Sequence, residues 1–70
     1  MTQAELVNTI ETLVDREGLY AVTAALELMC HEKSEHLICN WQDKPASKRW
    51  TQAAKAFYNA HKRLEQIQIP

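Results

Sequence analysis

Only two places in this chain are built to turn, and that scarcity most constrains its fold. Seventy residues contain one glycine, Gly18, and two prolines, Pro45 and Pro70. A β-sandwich or barrel needs a turn every few residues, usually with Gly, Pro, Asn or Asp at the corner. What remains is a chain of long helices broken near Gly18 and again across 42–47.

The helical periodicity agrees. Thr2 followed three residues later by Glu5 is a capping box, and Leu6, Ile10, Leu13 and Val14, with Val7 beside them, form an apolar stripe. Gly18 directly after it predicts a C-cap in the left-handed conformation. A second helix over about 19–41 carries Leu19, Val22, Leu26, Met29 and Cys30 on one face, widened by Ala21, Ala24, Ala25 and Leu28. Two buried faces are expected of it, making it a central helix with neighbours on both sides. Asp43 then caps a third helix over about 45–67, with Pro45 in its first turn. Its apolar side is Trp50, Ala53, Ala54, Phe57, His61, Leu64 and Ile67. The reading is one all-α domain, a three-helix bundle. A chain this short buries only about 60% of its unfolded surface, so dimerisation is expected to complete the core.

Charge is sorted along the chain. Residues 1–43 hold eight acids against two bases, a balance of −6, whereas 44–70 hold six bases against one acid, a balance of +5. The formal net charge of −1 hides this asymmetry. It points to a charged partner, or to the halves packing on each other or on a second copy. Lys48, Lys55 and Lys62 fall seven residues apart on one face of the third helix, flanked by Arg49 and Arg63. Such a face can steer an acidic protein partner or lie along phosphates, where Gln52, Asn59 and Gln66 would meet base edges. A domain that is slightly acidic overall argues against nucleic acid, and the plain alternative is a solvated lysine face. Trp41 and Trp50 flank the second break. They are candidate partner anchors, or residues that close the end of a small core.

The densest set of possible metal ligands is Cys30 to Cys39. Glu27 with His31, His31 with Glu35, and Glu32 with His36 are pairs four apart that share a helix face. His31 and His36, however, point about 140° apart on a helix. Of the candidates His31, Glu35, His36 and His61, no complete set arises within one helix, and the plain reading is a run of helix-stabilising pairs. No metal or other cofactor is expected. Cys30 and Cys39 on one helix would lie about 13.5 Å apart along its axis, too far for a disulfide. Neither has the electropositive setting of a reactive thiol.

No basic-then-apolar leader and no run near ~18 apolar residues is present, so a cytoplasmic protein without a membrane span is expected. Three short helices also leave little room for a preorganised pocket, and no enzyme is expected. The run from Gly18 to Trp50 carries Glu32-Lys33-x-Glu35-His36-Leu37 and Asn40-Trp41-Gln42-Asp43, and Ala53-Ala54-Lys55 follows Trp50. It resembles short helical proteins of bacteria and phages that have no assigned function. The resemblance implies a small accessory protein and brings no catalytic residue, cofactor or substrate. The expected function is therefore binding of another macromolecule, a protein, by a homodimer. Its contacts are Lys48, Arg49, Lys55, Lys62, Arg63, Trp41 and Trp50, with nucleic-acid binding and metal binding as alternatives.

Overall fold

The computed structural model describes residues 1–67. It is all-α: α1 spans Gln3–Glu17, α2 spans Leu19–His36, and α3 spans Lys44–Glu65, with no strand among the described residues. The continuous helix expected over 19–41 is α-helical only to His36. From Leu37 to Trp41 the backbone widens into a π-helical turn. Gln42, in the left-handed conformation at φ 52°, then ends it.

Local chemistry sets each boundary. The Glu5 amide donates to Thr2 Oγ1 (3.2 Å) and the Thr2 amide to Glu5 Oε1 (3.1 Å), so the capping box closes in both directions. These bonds hold the Glu5 carboxyl below the usual carboxylate range, the Thr2 amide contributing most. At the other end of α1 the Gly18 amide donates to Val14 O at 2.7 Å. Gly18 sits at φ 93°, ψ 149°, not in the left-handed helical conformation expected of a C-cap. That region is nearly closed to residues with a Cβ, so the joint between α1 and α2 requires the glycine. Asp43 accepts from the Ala46 amide (3.1 Å), and Pro45 sits in the first turn of α3, where no intrahelical bond is lost.

The packing bears out the expected apolar side of the third helix and Cys30 on the second, but leaves Leu26, Met29 and Ile67 exposed and buries Thr23, Ser34 and Ser47 instead. The buried side chains are Thr23, Cys30 and Ser34 on α2, and Ser47, Ala54 and His61 on α3. On α3 these recur every seven residues, and Trp50, Phe57 and Leu64 follow the same repeat half-buried beside them. Such a repeat is the pattern of a coiled-coil seam. Ser34 meets Ser47 while Glu27 meets His61, so the two helices run antiparallel. Small residues fill the seam. The Ser34 hydroxyl lies 2.9 Å from Ser47 O, 2.7 Å from Ser47 Oγ and 2.8 Å from Thr51 Oγ1. The Ser34 hydroxyl can thereby donate to Ser47 O and accept from a neighbouring hydroxyl, which offsets the cost of burying it. Thr23 returns its proton to Leu19 O (2.8 Å).

Only one face of α2 is covered, by α3. The second face expected to be buried is open, with Leu26, Leu28 and Met29 exposed. α1 approaches α2 but makes no approach to α3, and none of its side chains is buried. The chain is correspondingly spread out, measuring 42 × 31 × 16 Å with a radius of gyration of 14.1 Å. A compact domain of this length has about 11 Å. Cys30 is buried, Cys39 is exposed, and both are free thiols.

Candidate functional site

The outward side of α3 is a continuous basic face. Seven residues advance a helix by about 10.5 Å and nearly two whole turns, so Lys48, Lys55 and Lys62 form a row about 21 Å long. All three are exposed, as are Arg49 and Arg63 beside them. The seam dictates this placement. With Ser47, Ala54 and His61 turned to α2, the residue after each falls on the flank away from it. Glu65, the one acid of this segment, lies 3.4 Å from Lys62 Nζ. Its charge, with the Glu65 hydrogen bond and the nearby Tyr58, raises the Lys62 pKa, and the ammonium also stands 5.9 Å from the Tyr58 ring centroid. Among the described residues, no lysine or arginine of α3 pairs with an acid from the first 43. The lysines and arginines of α3 are therefore not neutralised by side-chain contact with the acidic half.

The two tryptophans are placed differently. Trp41 ends the π-helical turn and is 70% exposed, whereas Trp50 lies half-buried along the seam. The aromatic end expected from sequence is thus presented by Trp41. Its indole N–H donates to His36 Nε2 (3.3 Å), and the Asn40 side-chain amide reaches His36 Nδ1 (2.7 Å).

A cluster that the sequence did not disclose lies on the α2–α3 seam. His61 Nε2 is 2.6 Å from Glu27 Oε1, and His31 Nε2 is 3.3 Å from Glu27 Oε2. Tyr20 and Tyr58 close edge-on around the His61 ring at centroid distances of 5.2 and 5.3 Å. Hydrogen bonding from His61 holds the Glu27 carboxyl below its ordinary value. Partial burial opposes this, and His31 adds to it. His61 Nδ1 is buried without a partner. The ring therefore offers Nε2 to Glu27 and keeps Nδ1 out of solvent.

The metal candidates separate on the same geometry. His31 and His61 share Glu27, while His36 is tied to Asn40 and Trp41. Among the described residues, no three His, Cys, Asp or Glu side chains are placed to hold an ion. Nor is any described helix long and apolar enough to cross a membrane.

No protein-family model matches this chain, and no curated protein or solved structure matches it.

Proposed function

We propose that this chain is a small, non-enzymatic recognition protein whose basic α3 face binds an acidic protein surface, with Trp41 as an apolar anchor beside it. The observation that carries this reading is the row Lys48, Lys55, Lys62, exposed with Arg49 and Arg63 and unpaired with any acid of residues 1–43. A row of like charge this long raises the encounter rate with an oppositely charged partner and fixes its orientation. An exposed tryptophan supplies the desolvating contact that charges alone do not. The proposed setting is cytoplasmic, and the proposed working form is a homodimer.

The same row favours one second reading, nucleic acid. Phosphates could follow a basic helix of this length, at an affinity falling steeply with salt. The metal-binding alternative has no comparable support, because its candidate ligands are divided between two separate contacts.

The test is affinity capture from host lysate with wild type and with Lys48→Glu plus Lys55→Glu, alongside titration of both proteins with duplex DNA and single-stranded RNA. The reading expects an acidic protein on wild type only, and unchanged helical circular dichroism in the variant. Equal capture by both proteins would sink it. Salt-sensitive oligonucleotide binding lost in the variant would replace it with the second reading.

A further inference from the structure

The chain exposes far more surface than its mass requires. Its accessible area is 5801 Å² at 8.1 kDa. A folded monomer of that mass exposes about 4,500 Å². The excess, about 1,300 Å², is larger than the ~800 Å² that each partner contributes to a standard protein interface. Large apolar side chains left open also gather on α1 and α2. Leu6, Val7, Ile10 and Leu13 on α1, with Leu26 and Met29 on α2, are each between 36% and 43% exposed, and all lie away from the α2–α3 seam. Between the two helices opens a cleft of about 400 Å³ lined by Leu13, Ala21, Val22, Ala25, Leu26 and Met29, with Glu17 as its one charged residue.

We infer that this face is covered by a second copy of the chain, the α1 helix of each copy lying in the α1–α2 cleft of the other. The inference deepens the homodimer reading and is independent of what the basic face binds. Three observations favour this occupant. The surface the chain leaves open is more than enough for its share of a stable two-fold interface. The α1 stripe from Leu6 to Val14 has no charged residue at its apolar positions, and at 1.5 Å per residue it is about as long as the α2 wall from Ala21 to Met29. Ala21 and Ala25 are small enough on that wall to admit a helix closely. A two-fold axis would bury stripe and cleft twice over, since each copy carries both halves of the contact. The α3 faces, on the far side of the seam, stay free.

The charges add a sign. Each copy brings an acidic half of −6 to this contact, so salt, by screening that repulsion, should tighten self-association. Binding at the basic face should weaken with salt, and the two readings can therefore fail separately.

The decisive experiment measures mass by sedimentation equilibrium from micromolar concentration upward, at low and high salt, for wild type, Ile10→Glu and Lys55→Glu. It is paired with peroxide oxidation of Met29 in wild type, with free methionine as reference. Expected are twice the 8.1 kDa chain mass for wild type and Lys55→Glu, tighter at high salt. Ile10→Glu should weaken association about a hundredfold, as for an unpaired carboxylate in an apolar contact. Met29 oxidation should slow several-fold as wild-type concentration rises. A single-chain mass throughout, wild-type association by Ile10→Glu, or concentration-independent Met29 oxidation would each overturn the inference. If Ile10→Glu loses its helices, the Met29 measurement decides alone.

Discussion

Glu27 and His61 stand 34 positions apart and meet at 2.6 Å across the α2–α3 seam. Among the described residues, theirs is the one ionisable contact joining the acidic first 43 residues to the basic remainder. Tyr20 and Tyr58 wall it in, so the contact is both electrostatic and part of the packed core.

That relationship sets an acid limit on stability. A carboxyl whose folded pKa lies below its unfolded one stabilises the fold above the unfolded value, and the contribution is lost as pH falls through the folded value. For Glu27 the loss falls below the ordinary 4.5. Thermal melts of wild type and Glu27→Gln should differ near neutral pH, with the variant less stable, and converge in strong acid. An equal gap at both ends would rule out the Glu27 charge as the cause.

Removing the other partner should be costlier. His61→Ala empties a buried site, leaves Glu27 without its strongest partner, and strips Tyr20 and Tyr58 of an edge-on contact each. Cavity formation and the two ring contacts together suggest a loss of about 2–3 kcal/mol. Urea denaturation measures it, and a midpoint unchanged from wild type would mean that the cluster is not structural.

Ala54 tests the closeness of the seam. It is fully buried, and its absent side-chain bulk lets α2 and α3 approach. Ala54→Leu should cost about 1–3 kcal/mol by overpacking. Ala60→Leu, at an exposed position of the same helix, should change stability by less than about 0.5 kcal/mol. Equal effects at both positions would contradict the packing described.

Gly18→Ala isolates backbone geometry. An added Cβ meets nothing within 4 Å, so any penalty comes from φ 93° itself. A loss of about 1–2 kcal/mol is expected in melts of the whole chain. A neutral substitution would mean that the joint relaxes to an ordinary conformation.

The helices and their breaks were legible in the sequence because their causes are local. Thr2 and Glu5 cap each other three residues apart, Gly18 has no Cβ, and Asp43 precedes Pro45. The inside of the fold was much less legible. Periodicity marks a face without saying what covers it, so Leu26 and Met29 read as core alongside Cys30 and Ala54, while Ser34 and Ser47 at the seam were missed. Small and polar residues signal burial only once two helices are known to approach closely. The π-helical turn at Leu37–Trp41 had no marker of its own, having neither glycine nor proline. Of the candidate site, the lysine row followed from a spacing of seven. Glu27 meeting His61 depends on the register of two helices, which no local pattern specifies.

That register has a consequence for how the hairpin can go wrong. Two helices joined by uniform leucine rungs can slide past each other by one repeat and lose little. Here a slide of about 10.5 Å would carry Ser47 and Thr51 away from Ser34 and His61 away from Glu27, breaking the polar contacts that join the two helices. The polar seam thus acts as a ratchet tooth: it makes the misaligned hairpin expensive, and the chain has one alignment into which it can settle.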